Sequence, residues 1–401
     1  MKLTLPAAAL AAALTLQPPA PHFSEREDLL SEQARKAAFD LYREISREED
    51  GNIFFSPYSI RTALAMTYAG ADGTTAEAMA RALSFSENTA DFHMAYGMRT
   101  QALLDSAAPH ITLQTANQLW AEKNYKFLPD YLRLSEDAYS APVAPVDFRM
   151  NPEAARMKIN RWTEDHTDNK IKDLLPQGSV DNTTRLVLTN AVYFKADWHR
   201  AFDPDRSTDR DFTLLSGQKE RHRFMVRRDS YRYLSTETAE LLSVPYSGSK
   251  HSMVFILPKA NLNFEDAEAA VNPEMINRLL AAPRQDVVAA LPKMKLTESL
   301  SLKKVLEKMG MKEAFVEGAN FSRMSEDNDL AISDVIHKAF IETDEEGTEA
   351  AAATAVVMMV TSSADHKPRK PLYFTADRPF LFCITDDAAG EILFMGRMVK
   401  P

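Results

Sequence analysis

The spacing of apolar residues along the chain predicts a mixture of amphipathic helices and β-strands. Between residues 24 and 45 apolar side chains recur every three or four positions, which is typical of a helix with one buried face. Residues 186–195 are almost continuously apolar, and this pattern favours a central strand buried on both faces. Alternating stretches predict further strands at residues 115–120, 144–148, 241–245, 252–257, 289–296 and 335–341. Further helices are expected at residues 63–69, 90–104, 151–167 and 300–309, and at 76–83 with Thr74 or Thr75 as its cap.

One stretch, residues 342–363, does not fit an ordinary element. It contains an acidic segment, Gly347, a run of alanines at 350–353, and a β-branched, Met-rich end. Alanine favours helix, so a short surface helix is one interpretation. The β-branched end instead favours a strand whose side chains alternate between two faces. Thr348 would then share its face with small and apolar residues, while Glu349 lies on the other face, so this strand could enter a sheet by pivoting at Gly347.

This stretch resembles the hinge of the reactive-centre loop in inhibitory serpins. The residues that carry the resemblance are Glu345, Glu346, Gly347, Thr348, Glu349, Ala350, Ala351, Ala352, Ala353, Thr354 and Ala355. The resemblance implies a mixed α+β fold with about eight to nine helices around three β-sheets. It also implies an exposed reactive-centre loop, here about residues 345–371, that can insert into the main sheet. The similarity extends over about residues 25–401.

Other motifs carry the same resemblance near the middle of the chain. Residues 52–60 look like the serpin segment that enters the central helix, where serines at the positions of Ser56 and Ser59 belong to the shutter over which the sheet opens. The resemblance implies that Asn190 and His337 are further shutter residues. Judged from the residues alone, Ser56 is the cap of a helix and His337 is a hydrogen-bonded core histidine, and both interpretations are compatible with a shutter role.

Two further residues match the breach, the place where insertion of the loop begins in serpins. Trp198 matches a tryptophan beneath that place, although plain core packing is an alternative interpretation. Lys293, within Leu291-Pro292-Lys293, matches a lysine that can pair with a glutamate at the position of Glu345. Such an ion pair would contribute little energy if exposed, about 0–1 kcal/mol, and its value would lie in fixing where the loop leaves the sheet.

Composition and the N-terminus bear on domain organisation and compartment. The chain has 401 residues, 45% of them hydrophobic and 26% charged, which suits a globular protein with a large core. No linker or repeat divides it, so residues 24–401 are expected to form a single domain. In residues 1–20, Lys2 precedes an Ala- and Leu-rich apolar stretch that fits a secretory signal peptide, the alternative being a hydrophobic helix kept in the fold. We therefore expect a secreted protein, extracellular or, in a bacterium, periplasmic.

Charge and cysteine content restrict the partners. The net charge of -10 argues against a nucleic-acid-binding protein, because the phosphate backbone is met by excess Lys and Arg. Residues 90–104 carry little positive charge, which gives no support for a heparin-type activator. Cys383, the one cysteine, cannot form an intrachain disulfide and lies in an apolar run, so a buried thiol is expected. A monomer without cofactor, metal or membrane partner is the resulting expectation.

The chain offers no motif for catalysis. It contains no paired-histidine helix motif, no clustered metal ligands, no nucleophile elbow and no dinucleotide-binding glycine pattern. We therefore do not expect an enzyme.

The resemblance implies an inhibitor that acts once. In serpins a protease attacks the loop and forms an acyl-enzyme, and the freed strand inserts into the main sheet and carries the protease with it. Counting from Gly347, as family loops are spaced, places the scissile bond between Thr361 and Ser362, with Met359 or Val360 as alternatives. No residue at 358–363 is basic, so the expected target is an elastase-, subtilisin- or chymotrypsin-like serine protease.

Three alternatives remain open. The chain could be a non-inhibitory serpin that acts as a carrier, chaperone or storage protein, although those tend to have bulky or charged hinge residues. It could inhibit cysteine proteases on the same fold, or be a secreted binding protein with an Ala-rich surface helix. For an inhibitor, Thr348→Arg is predicted to leave the fold intact and to convert the inhibitor into a substrate.

Overall fold

The computed structural model describes residues 25–107, 111–248, 250–326, 330–348 and 370–401. Within these ranges the helices are α1 (Glu25–Ser46), α2 (Pro57–Tyr68), α3 (Gly73–Leu83), α4 (Ala90–Ala107), α5 (Pro129–Tyr139), α6 (Pro152–Asp165), α7 (Phe264–Ala269), α8 (Pro273–Leu280) and α9 (Lys303–Leu306). The strands are β1 (Ile53–Phe55), β2 (Ile111–Glu122), β3 (Ala144–Val146), β4 (Leu186–Asp197), β5 (Thr208–Thr213), β6 (Lys219–Ser235), β7 (Ala239–Pro245), β8 (His251–Pro258), β9 (Arg284–Pro292), β10 (Met294–Ser301), β11 (Val335–Thr343), β12 (Gly347–Thr348), β13 (Leu372–Thr375), β14 (Phe380–Asp386) and β15 (Glu391–Met398).

Among the described residues these strands form two hydrogen-bonded sheets. One has nine strands in the order β1-β15-β14-β8-β7-β6-β9-β13, with β5 pairing β6, and the other has six in the order β10-β11-β12-β4-β2-β3. Three sheets were expected. Two of the expected sheets are joined into the nine-stranded sheet, because the long strand β6 pairs with β5 and β9 along most of its length and with β7 at its end.

The six-stranded sheet determines the geometry of the candidate site. Its central strands β4 and β11 pair directly in parallel, from Leu188 with Val335 to Tyr193 with Phe340. Beyond that ladder the two-residue strand β12 lies between them, antiparallel to both. The sheet is therefore closed along most of the β4–β11 seam and parted only at one end.

Helix α2 runs through the core beneath this sheet, and all of its residues are buried. It begins as the sequence indicates, because Ser56 accepts a hydrogen bond from the Ser59 amide and Pro57 occupies the first turn. On the opposite face of the sheet, Trp162 of α6 packs against a small cluster that includes Tyr193 and Phe340. The seam between β4 and β11 thus has apolar packing on both faces.

Two local predictions were wrong in detail. Residues 289–296 are not one strand, because β9 ends at Pro292 in the larger sheet and β10 begins at Met294 in the smaller one. Helix α3 begins at Gly73 with Asp72 as its N-cap, so neither threonine caps it. The Thr75 hydroxyl instead accepts a hydrogen bond from the Asn320 amide, 2.8 Å away, which ties the helix to a distant loop.

Candidate functional site

The predicted hinge begins with a tight turn at the end of β11. The Asp344 carboxylate accepts hydrogen bonds from the amides of Glu346, at 2.9 Å, and Gly347, at 3.2 Å. The Asp344 amide donates to the Gly347 carbonyl at 2.9 Å. This turn reverses the chain, so that Gly347 and Thr348 run back between the two central strands.

Glycine is the only residue type that fits at position 347, where β12 meets β4. A Cβ atom added there would lie 2.2 Å from the Ala196 carbonyl oxygen and 2.7 Å from the Asp197 Cα, and real Cβ atoms do not approach so closely. Thr348 follows with no exposed surface, and its hydroxyl lies 2.8 Å from the Tyr246 hydroxyl. The first two strand residues of the hinge therefore lie inside the sheet.

Trp198 holds the turn through backbone carbonyls. Its indole Nε1 donates to the Asp344 carbonyl at 2.9 Å, and its amide donates to the Glu346 carbonyl at 2.8 Å. The Phe202 amide donates to the remaining carbonyl of the turn, that of Glu345, at 2.7 Å. Because the indole also stacks on the Tyr246 ring, with centroids 4.8 Å apart and planes 5° apart, Trp198 links the turn to the core.

Glu345 is fixed by two side chains. Its carboxylate lies 2.5 Å from the Lys293 Nζ and accepts a hydrogen bond from the Ser207 hydroxyl at 2.7 Å. Burial raises the pKa of Glu345, but these hydrogen bonds more than offset burial, so the pKa lies below its usual value. Lys293 reaches the turn because it occupies the break between β9 and β10, where the chain crosses from one sheet to the other.

The predicted shutter residues lie together in one buried cluster. Asn190 donates to the Ser59 hydroxyl at 2.6 Å and to the Asn117 side-chain oxygen, which also accepts from Ser59 at 3.1 Å. The Asn190 oxygen is hydrogen-bonded to Nδ1 of His337, and Nε2 of His337 lies 3.1 Å from the Ser56 amide. The cluster therefore connects β4, β11, β2 and the start of α2.

The protonation state of His337 follows from its partners. A backbone amide can only donate, so Nε2 accepts from Ser56, and the ring proton lies on Nδ1, which donates to Asn190. Burial lowers the pKa of His337 to about 3. Protonation would place an N–H on Nε2 against the N–H of the Ser56 amide, so the cluster accommodates the neutral imidazole.

We expect His337 to make the protein less stable in acid. Its pKa in the fold, about 3, lies below the unfolded value of 6.5, so the unfolded chain takes up a proton first as the pH falls. The stabilisation is complete above pH 6.5 and is lost progressively as the pH approaches 3. In His337→Gln, the slope of unfolding free energy against pH below about pH 6 should fall by about 1.4 kcal/mol per pH unit, measured by urea unfolding at several pH values.

A matched control uses His166, which is exposed on the C-terminal side of α6. His166→Gln removes a histidine without touching the buried cluster, and the fall in slope should be larger in His337→Gln than in this control. His93 is also buried, and burial lowers its pKa to about 4, so part of the acid sensitivity should persist in His337→Gln. An unchanged slope in His337→Gln would contradict the assignment of a neutral ring.

Several site residues were missed by sequence reasoning. Asn117 completes the buried cluster, Tyr246 and Asp344 hold the hinge turn, and Ser207 binds Glu345. Asn117 had one usable signal, because it is a polar residue within a predicted strand. Asp344 also had a local signal, because an aspartate can accept hydrogen bonds in a turn from amides two and three residues further along the chain. Tyr246 and Ser207 give no local pattern, since their roles arise from contacts between distant segments.

The remaining hinge residues and the predicted cleavage site lie outside the described residues. These are Glu349, Ala350, Ala351, Ala352, Ala353, Met359, Val360, Thr361 and Ser362. Cys383 is described, and its expected burial is confirmed, with 1% of its surface exposed and burial raising the pKa of the thiol. Within the described ranges, no helix is both long and apolar enough to cross a membrane.

Comparisons with known proteins agree with this geometry. Residues 32–401 match the family model of Serpin (serine protease inhibitor). An uncharacterized serpin-like protein of Thermococcus kodakarensis is 39% identical and aligns over 90% of this chain and 84% of its own. The leukocyte elastase inhibitor of Xenopus laevis is 37% identical over 93% of this chain and 99% of its own. The crystal structure of Serpin48 from Tenebrio molitor superposes with a TM-score of 0.81 at 30% identity, covering 95% of this chain and 100% of that one.

These matches confirm the predicted α+β serpin fold. They extend over nearly the whole described chain, and the described helices and sheets form a mixed α+β fold. The family is described as one of protease inhibitors, which groups the chain with inhibitors rather than with catalysts. The chain belongs to the serpin family.

Proposed function

We propose that this protein is an irreversible, suicide-type protease inhibitor whose loop, about residues 345–371, inserts between β4 and β11. The observation that carries the proposal is the position of β12. Gly347 and Thr348 already lie between these two strands, whereas the strands pair directly with each other beyond that point. Separation of the β4–β11 ladder would therefore let the loop continue along a path it has already entered.

The register of β12 supports this path. Thr348 pairs with Ala196 on β4 and with Thr343 on β11, antiparallel in both cases. Extending either register six residues along the chain brings Thr354 level with Asn190 on one side and, independently, with His337 on the other. Those two residues are themselves opposite each other in the closed seam.

The extended register also suits the chemistry of the inward face. Thr354 is the one polar residue among 350, 352, 354, 356, 358 and 360, which would share the face of Thr348. It would arrive where insertion breaks the hydrogen bond between Asn190 and His337, and its hydroxyl can both donate and accept. We therefore propose that Ser56, Ser59, Asn117, Asn190 and His337 form the shutter, and that Trp198, Lys293 and Glu345 hold the hinge at the breach.

In the proposed reaction the serine hydroxyl of the protease attacks the Thr361 carbonyl. An ester bond to the protease forms, the peptide bond to Ser362 breaks, and the amine of Ser362 leaves with the downstream segment. From Thr348 to Thr361 an inserted strand would span about 44 Å, since a strand rises about 3.4 Å per residue. Insertion would therefore move the attached protease far from the breach before water hydrolyses the ester.

We propose an elastase-, subtilisin- or chymotrypsin-like serine protease as the target. Residues 358–363 contain no basic side chain, which does not suit a trypsin-like enzyme. A relative with 37% identity is named a leukocyte elastase inhibitor, which agrees with this class. A cysteine protease would form the corresponding thioester, and a non-inhibitory serpin would be cleaved without trapping the protease.

The test is incubation of the full chain with pancreatic elastase, subtilisin, chymotrypsin and papain, followed by a denaturing gel. With at least one serine protease we expect a band at the mass of the protease plus residues up to Thr361, because the downstream segment separates on the denaturing gel. No such band should form when the serine of the protease is chemically blocked. A stable band with papain alone would identify a cysteine-protease inhibitor instead. Cleavage without any adduct, but with a large gain in heat resistance, would indicate a non-inhibitory serpin, and cleavage with neither would contradict loop insertion.

We further propose that the protein is exported and acts as a monomer. The apolar residues 1–20, which fit a signal peptide, lie outside the family match, which begins at residue 32. N-terminal sequencing of the protein recovered from an expressing culture tests this. A start within about residues 18–24 in the secreted fraction supports export, and retention of Met1 in the cell fraction contradicts it.

A further inference from the structure

A small polar cavity lies beside the segment that holds the hinge turn. Its volume is about 110 Å³, and its lining includes His199, Arg200, Arg227, Asp229 and Arg284. A water molecule occupies about 30 Å³ of liquid, so the cavity has room for one small polyatomic ion or a few waters. The proposed inhibitory cycle does not use it.

The charges around the cavity do not balance. Asp229 is its one carboxylate, and it is shared by Arg200, at 3.2 Å, and Arg227, at 2.6 Å. Arg284 donates to the Ser230 carbonyl at 3.0 Å, and in the described part of the chain no carboxylate forms an ion pair with it. Three guanidinium groups therefore face one carboxylate, which leaves an excess of about two positive charges.

Arg227 is fixed in place by the backbone. Its guanidinium donates to the carbonyl oxygens of Arg200 and, at 3.0 Å, Ala201, and only 15% of its side chain is exposed. A fixed arginine loses little freedom when it binds an anion, and its planar fork suits two oxygens of a phosphate or sulfate. Arg200 and Arg284 are exposed and can turn towards a bound ion.

The cavity adjoins the hinge through a short segment of chain. His199 and Arg200 lie between Trp198, which binds the carbonyls of Asp344 and Glu346, and Phe202, which binds that of Glu345. The His199 amide also donates to the Pro245 carbonyl at 2.9 Å, on the strand that precedes Tyr246. An ion bound to the arginines would therefore tether the same segment that holds the start of the loop.

We propose that this cavity binds a small tetrahedral oxyanion, of the phosphate or sulfate class, and that the bound ion stabilises the segment that holds the hinge turn. Arg227 provides the fixed contact, and Arg284 and Arg200 close over the ion. This inference goes beyond the proposed function and does not depend on it, because binding can be measured without any protease.

The test compares thermal unfolding of the full chain in sodium phosphate, sodium sulfate and sodium chloride at equal ionic strength. We expect a saturable rise in Tm with phosphate and sulfate, about 4 °C once the anion exceeds its Kd a hundredfold, and no saturable rise with chloride. Isothermal titration of phosphate should give one site per chain.

Arg284→Gln removes one charge from the cavity at an exposed position and should weaken phosphate binding at least tenfold. Arg228→Gln is the matched control, because Arg228 is exposed on β6 next to Arg227, pairs with Asp286 and does not line the cavity. The Arg228→Gln variant should keep the full rise in Tm with phosphate and the wild-type affinity for this anion. Equal, non-saturating shifts in both variants would mean a general salt effect and would overturn the proposal.

Discussion

Cleavage of the loop near Thr361 is expected to raise the thermal unfolding temperature of this protein by about 20 °C or more. In the intact chain the backbones of β4 and β11 are hydrogen-bonded to each other in one parallel ladder, from Leu188 with Val335 to Tyr193 with Phe340. Insertion would replace it with two antiparallel ladders and would bury the small and apolar side chains on the inward face of the loop. For a domain of this size, whose unfolding entropy is about 0.8 kcal/mol/K, a rise of about 20 °C corresponds to a net gain of about 16 kcal/mol.

The measurement is scanning calorimetry of the intact chain and of chain nicked by subtilisin, with the cut located by N-terminal sequencing. Two loop variants provide a matched pair. Thr354→Asp would place a charge between Asn190 and His337, so nicking this variant should raise its unfolding temperature much less than nicking raises that of the wild type. Ala353→Asp places the same charge on the other face, near Lys338, and should keep most of the gain. An unchanged unfolding temperature after nicking would exclude insertion.

The fold was predictable from the sequence, and the proposed hinge was recognisable in it, for different reasons. Strand β4 is recognisable because both of its faces are largely apolar, and β11 because apolar and polar positions alternate along it. The hinge is recognisable because its succession of Gly347, Thr348 and alanines is unusual in any other context. Both signals are local, so they do not depend on knowing what lies nearby.

Features that depend on distant contacts were not predictable. The apolar positions of residues 289–296 were interpreted as one strand, and only Pro292, which cannot donate to a strand ladder, marks the place where the chain changes sheets at Lys293. Strand β6 begins with the largely charged residues Lys219 to Arg223, and this composition does not predict a strand. The charges are accommodated because the neighbouring strand β5 supplies carboxylates that pair with them. Tyr246 and Ser207 contact the hinge only after the whole sheet has assembled.

The second large effect is expected from Thr348→Arg, which should convert the inhibitor into a substrate. Thr348 has no exposed surface and contacts Tyr246, so an arginine cannot remain between β4 and β11. We expect residues 347–348 to leave the sheet while the fold persists, because the β4–β11 ladder is already closed beyond them. Since a buried, unpaired guanidinium costs several kcal/mol, insertion should become slower than hydrolysis of the acyl-enzyme.

The stoichiometry of inhibition, titrated against the protease identified by the gel assay, should rise at least tenfold in Thr348→Arg, with the cleaved chain replacing the adduct. Thr348→Ser keeps the hydroxyl that contacts Tyr246 and should inhibit like the wild type. Glu346→Arg places an arginine in the turn, outside the seam between β4 and β11, and should also retain inhibition. This variant separates a requirement for a small side chain inside the sheet from a simple effect of charge. If Thr348→Arg traps protease at the wild-type stoichiometry, the residue does not enter the sheet during inhibition, and the path proposed for the loop is wrong.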